Sequence, residues 1–297
     1  MSYEYNNTKP EALLTGYTSV RGAELKTIYG VLDVQGDIPV SALKKRFGRP
    51  YTNKNEINTD HVDDCLKFLK AIDMVEVSAQ DVVSKLNEDI YPEISFEPRV
   101  LYHIRQQPER QYHLSYVFDV MAKQNRRRIP QEVLLEEVAD DDEETFGLQW
   151  NEEKIRMWAN LSDTLGAISY VTADDDNEIV ASPTRRLLHE LLTWYSENGE
   201  DPERLSRALG WIDEEFLPMY ASRPGTPKVT PGVADVVRNM EEEDVLQTRS
   251  MSDTENVVDL PRRKGGTEAV ATFTMNDRLD CASYRYPLDR SERRVTA

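Results

Sequence analysis

The chain has 297 residues and a formal net charge of −18, from 54 acidic against 36 basic side chains. That length supports two or three domains with cores of their own. Two cysteines, Cys65 and Cys281, are too few for a disulfide framework or a zinc cluster. The apolar fraction of 39% is low but sufficient for folding, which excludes disorder along the whole chain. The start, Met1-Ser2-Tyr3-Glu4-Tyr5, lacks the basic-then-apolar run of a signal peptide. No stretch approaches the roughly 20 apolar residues that span a bilayer, so a cytoplasmic protein without membrane contact is expected.

Residues 1–20 are polar and expected to fray. Leu25, Ile28, Tyr29 and Leu32 fall at helical spacing, which predicts a helix over 22–34 closed by Gly36-Asp37. Pro39 suits the first turn of a second helix carrying Val40, Leu43 and Phe47, and Gly48-Arg49-Pro50 ends it. Thr59 or Asp60 can cap a third helix whose inner face is Val62, Cys65, Leu66, Leu69 and Ile72. A strand follows at 74–77, and 81–86 reads either as its return strand or as a helix start. Residues 96–107 form a linking helix. Leu114, Val117, Phe118 and Met121 mark the next helix, Ile129 to Val138 another, and the acidic run Asp140 to Glu144 a solvated loop. Asn151 caps a helix carrying Ile155, Trp158 and Ala159, after which 167–171 and 178–181 pair as a hairpin across a turn-rich link. Ser182-Pro183 is expected to open a helix with Leu187, Leu188, Leu191 and Leu192. Gly210 to Met219 reads as helical, and Val233, Val236, Val237 and Met240 form one more helical face. Residues 245–248 and 257–260 are expected to pair as a hairpin, with a further strand at 269–274. Beyond Asp280, the tail with Arg285, Arg290, Arg293 and Arg294 has little to pack and is expected to be disordered.

A short pattern stands twice in this order of elements. Ile38-Pro39-Val40-Ser41-Ala42-Leu43 returns as Ile129-Pro130-Gln131-Glu132-Val133-Leu134, each between amphipathic segments and each followed by an apolar strand. Helix, helix, helix, strand and hairpin in this sequence resemble a winged helix, a variant of the helix-turn-helix. The resemblance covers residues 20–260. It implies a mainly α fold with small β-hairpins (α+β), arranged as tandem winged-helix modules. Module 1 would occupy 21–95, module 2 with its linking helices 96–200, and a partial third module 201–275, with disordered ends at 1–20 and 276–297. Proteins of this kind commonly bind DNA, and many others are protein-interaction modules. The composition, acid-rich with twelve lysines, is similar to that of cytosolic proteins of halophilic archaea. In molar salt the Debye length is roughly 3 Å, so carboxylate repulsion is screened.

Charge singles out a few places. Lys44, Lys45, Arg46, Arg49 and Lys54 form a local basic segment with no acid among them, at the end of the second helix and the loop after it. In a winged helix that region crosses the phosphate backbone, and phosphate contacts position a protein without reading sequence. Arg126, Arg127 and Arg128 stand just before the second helix of module 2, and Arg262, Arg263 and Lys264 offer a third contact. A solvated helix end is the alternative for each cluster. The outer sides of the third helices look unfavourable for base readout. They are expected to show His61, Asp63, Asp64, Lys67 and Lys70 in module 1, Glu152, Glu153, Lys154 and Arg156 in module 2, and Glu241 to Asp244 in the third.

Enzyme signatures are missing: there is no phosphate-binding loop, no G-x-G-x-x-G, no H-E-x-x-H and no G-x-S-x-G. His61, His103, His113 and His189 are scattered and read as packing or surface residues, and the four tryptophans as core or interface residues. The expectation is a non-enzymatic, DNA-associated protein: a transcriptional regulator or an accessory subunit of a DNA-processing or defence complex. The alternative is a protein-interaction scaffold without direct DNA contact. The expected partners are double-stranded DNA and protein subunits, with no catalytic residues, metal or cofactor.

Overall fold

In the computed structural model, residues 22–51, 56–86, 91, 93–107, 112–145, 149–173, 176–250 and 257–279 are described. The calls on Lys54, on Asp174 and Asp175, on the frayed start and on the tail from 280 lie outside them. The fold is α+β, with ten helices and small, mostly antiparallel sheets among these residues.

The first unit comprises α1 (Gly22–Gln35), β1 (Ile38–Pro39), α2 (Val40–Phe47), a ribbon of β2 (Arg49–Pro50) and β3 (Ile57–Asn58), α3 (Asp60–Ala71), β4 (Val75–Val77) and β5 (Val82–Lys85). Its sheet runs β1-β5-β4, with Ile38 opposite Val83 and Val75 opposite Lys85. The segment over 81–86, open in the sequence, is therefore a strand. After the connecting α4 (Phe96–Arg105), the second unit comprises α5 (His113–Lys123), β6 (Arg128–Pro130), α6 (Gln131–Thr145), α7 (Glu152–Thr164), β7 (Ser169–Ala173) and β8 (Asp176–Val180). Its sheet runs β6-β8-β7, with Ile129 opposite Ile179. Order of elements and order of strands are the same in both units. Pro39 and Pro130 each end the first strand, one residue before the helix, because a proline tolerates that extended position and presets the entry.

Several element bounds differ from the sequence reading. Asp140 to Glu144 belong to α6 and not to a loop, since no glycine or proline interrupts the helix between Pro130 and Gly147. The helix after the second unit, α8 (Arg185–Asn198), starts behind Thr184, whose hydroxyl accepts from the Leu187 amide, and not behind Ser182. The third unit departs most. It comprises α9 (Leu205–Glu215), β9 (Tyr220–Ser222), β10 (Lys228–Val229), α10 (Pro231–Glu242), β11 (Leu246–Arg249), β12 (Val258–Pro261), β13 (Thr267–Val270) and β14 (Thr272–Met275). The helix expected over 210–219 starts earlier and stops at Glu215, because Asp213 turns back to accept from the Met219 and Tyr220 amides. β11 and β12 do not form a hairpin. Leu246 faces Met275 and Val258 faces Val270, so both strands pair with the run through β13 and β14. Residues 276–279 are packed as well: the Val245 carbonyl accepts from the Asn276 and Asp277 amides.

One device ends the last helix of each unit. The Met74, Ala167 and Val245 amides donate to the Leu69, Ser162 and Met240 carbonyls at 2.8–2.9 Å, across a left-handed residue: Asp73, Gly166 or Asp244. This is the Schellman closure, which satisfies orphan carbonyls and turns the chain into the strand. One group of buried apolar side chains runs through all three units. At the junctions the backbones approach closely. A Cβ on Gly22 would stand 2.0 Å from Thr164 Cγ2, and one on Gly232 would stand 1.9 Å from the Ala181 carbonyl oxygen. No helix among the described residues is long and apolar enough to cross a membrane.

Candidate nucleic-acid interface

The third helices differ in what they leave open. In α3 only Asp60 is exposed; the rest is buried or half-buried, packed against α1, α2 and β4. The expected outer side is corrected for His61 and Asp63, which are 7% and 3% exposed. Burial is affordable there because each has a partner: His61 Nε2 meets the Phe47 carbonyl at 2.8 Å, and Asp63 is paired with Lys44 at 2.7 Å. In α10 most residues are also buried, and the exposed ones gather at its acidic end, Glu242 to Asp244.

Helix α7 is the exception. The Asn151 side chain caps it by accepting from the Lys154 amide at 2.9 Å. Ile155, Trp158, Ala159 and Ser162 lie at i, i+3, i+4 and i+7 and are buried. The Trp158 indole donates to the Leu114 carbonyl at 2.9 Å and fixes the helix on α5. The opposite side, Glu152, Glu153, Arg156, Asn160 and Asp163, is exposed. Arg156 has no carboxylate partner among the described residues, and Asn160 stands one turn behind it on the same face. The β7–β8 hairpin is tied to this helix: the Tyr170 amide donates to Asp163 Oδ1 at 3.0 Å, and the Tyr170 hydroxyl donates to Gln131 Oε1 at 2.5 Å. β7 is an edge strand, with Val171 and Thr172 exposed.

The basic residues singled out in the sequence have separate fates. Lys44 pairs with Asp63 and Arg49 with Glu24. Arg127 holds Asp235 of α10 through two hydrogen bonds, at 2.5 and 3.2 Å, and the hydrogen-bonded carboxylate raises its already high pKa. Arg263 reaches the same Asp235 at 3.8 Å and Glu242 at 3.2 Å. Arg128 pairs with Glu178 across the sheet at 3.0 Å, and Arg262 with Glu268 at 3.7 Å. The structure thus brings Arg127 and Arg263 together on one carboxylate and turns both inward from the solvent role expected of them. The expected row of phosphate contacts is narrowed to Lys45, Arg46, Arg126 and Lys264, which are exposed without an acidic partner among the described residues. The Arg46 guanidinium lies 5.8 Å from the Phe47 ring centre. Asn160 was missed in the sequence; its four-residue spacing from Arg156 was the available signal.

Neither ring nitrogen of the fully buried His113 meets a hydrogen-bond partner. Burial, assisted by the nearby Lys154 charge, pushes its pKa down to about 3, so it is neutral packing. Among the described residues no group of three His, Cys, Asp or Glu is placed to hold a metal ion.

Family models, curated proteins and solved structures give no match to this chain.

Proposed function

We propose that the chain is a non-enzymatic, DNA-associated cytoplasmic protein of tandem winged-helix modules, a regulator or an accessory subunit of a DNA-processing complex. The second unit is the module that faces the duplex. The observation that carries this reading is the open side of α7, the one third helix that still presents a stripe of side chains to solvent, with Arg156 and Asn160 at its centre. Arginine and asparagine are the side chains best shaped to hydrogen-bond purine edges in the major groove. The edge hairpin β7–β8 stands beside the helix, where a wing meets the backbone. Glu152, Glu153 and Asp163 on the same side repel phosphate, so affinity rests on few cations and the salt slope is shallow. Titration of a random-sequence duplex tests this from about 0.15 M to about 1 M salt. Binding that weakens when Arg156→Ala and Asn160→Ala are combined supports it, and no binding at the lowest salt removes it.

A second reading is a protein-interaction scaffold. It is favoured by one observation: the first and third units have their third helices covered and most of their cations paired within the chain. Such units cannot enter a groove and are suited to holding the second unit against partner subunits. Retention of partners at high salt together with loss of all duplex binding would favour it, because apolar interfaces strengthen where phosphate contacts fail.

A further inference from the structure

Connector α4 joins the first unit to the second, and its N-terminus is held from outside. Glu190, on α8, is 3% exposed, yet it lines a cleft of about 240 Å³ between α4, the end of α7 and the start of α8. Its Oε1 accepts from the Ser95 backbone amide, and its Oε2 accepts from the Ser95 hydroxyl at 2.8 Å. Ser95 is the N-cap residue of α4, and its own side chain makes no capping bond. The capping acceptor for this helix therefore comes from a residue 95 positions away in the chain. A carboxylate at a helix N-terminus is also favoured by the helix dipole.

We propose that the Glu190 carboxylate is a proton-released latch that holds α4, and with it the first unit, against the second. In the ionised form both oxygens accept. Protonation turns one of them into a donor facing a donor, and the two-point grip on Ser95 is lost. The charged groups around it are few. On α4, Glu97 lies beside Ser95 Oγ at 3.3 Å and is neutralised by Lys26 of α1 at 2.5 Å. On α7, Asp163 lines the cleft, and on α8, Arg186 does so one turn before Glu190. Arg99, one turn into α4, is directed away to the Ile94 carbonyl and the Tyr29 hydroxyl. Burial, with a smaller push from Glu97, raises the Glu190 carboxyl above the usual carboxylate range, against the Ser95 donors and Arg186, which lower it. The cleft gives protons a path from solvent. The remaining contact across this junction includes the tilted Tyr29–Phe96 ring pair at 5.4 Å, which does not titrate in this range.

Hydrogen exchange of the full chain, corrected for intrinsic chemistry, tests the latch between about pH 7.5 and about pH 5. Protection over 95–101 should fall by about tenfold on acidification, the weight of one charge-assisted hydrogen bond, while α10 is unchanged. Glu190→Gln should lose that protection already at the higher pH and show no further fall. Ser95→Ala keeps the backbone donor but removes the hydroxyl, so its midpoint should move to higher pH. That shift is one a merely structural role would not produce, and it decides the matter if Glu190→Gln does not fold. Equal wild-type protection at both pH values, a pH-dependent fall that persists in Glu190→Gln, or an unmoved midpoint in Ser95→Ala overturns the proposal.

Discussion

Replacing His113 by leucine should remove a defined part of the acid sensitivity of this fold. The imidazole is fully buried at the start of α5, near Trp150 at a ring distance of 6.5 Å, with both nitrogens unbonded. In the unfolded chain it titrates near 6.5, and in the folded chain at about 3. Between those values the unfolded state binds a proton that the native state refuses, so stability falls as pH falls below 6.5 and stops falling below about 3. At about pH 7.5 the difference is negligible. By about pH 5 it amounts to about 2 kcal/mol, from 1.36 kcal/mol per pKa unit over the interval already crossed. Urea unfolding at constant salt measures it in wild type and in His113→Leu at both pH values. Carboxylate contributions are common to the two proteins and cancel in the double difference. The wild type should lose about 2 kcal/mol more than the variant. The variant should be at least as stable at the higher pH, since an unbonded polar ring gives way to an apolar one. Equal losses in the two proteins would refute the claim that His113 stays neutral inside the folded chain.

Other expectations follow from single contacts. Gly232→Ala places a methyl against the Ala181 carbonyl oxygen and should destabilise by about 1–3 kcal/mol, read as a lowered urea midpoint. Asn151→Ala removes the α7 cap and should cost about 1 kcal/mol, with faster amide exchange confined to the first turn of that helix. A double-mutant cycle on Arg127 and Asp235 should give a coupling below about 1 kcal/mol that fades in molar salt, because the pair is partly exposed.

Local periodicity carried much of the fold. Val62, Cys65, Leu66 and Leu69 placed α3, Leu114, Val117, Phe118 and Met121 placed α5, and Ile129 and Ile179 ended up facing each other across the strands expected of them. A helical period reports which face is apolar; it does not report what covers the opposite face. For that reason His61 and Asp63 looked open while they are buried. The fates of the cations were out of reach for the same reason. Arg127 meets Asp235 across 108 positions, and such a pairing exists only once both helices are docked. The third unit was misread where a turn-rich link suggested a hairpin, because pairing of β11 with β14 is a long-range choice that no local turn announces. At the candidate interface, Arg156 was visible as an exposed cation, whereas its distinction from the corresponding residues of α3 and α10 needed the burial of those helices.

The open side of α7 is best tested by hydrogen exchange of the whole chain with and without a random-sequence duplex. Protection should appear over residues 152–164 and in the β7–β8 hairpin, with α3 and α10 unchanged. Protection confined to the segment around Lys45 and Arg46, or none in the second unit while duplex is bound, would contradict the assignment of that unit as the face toward DNA.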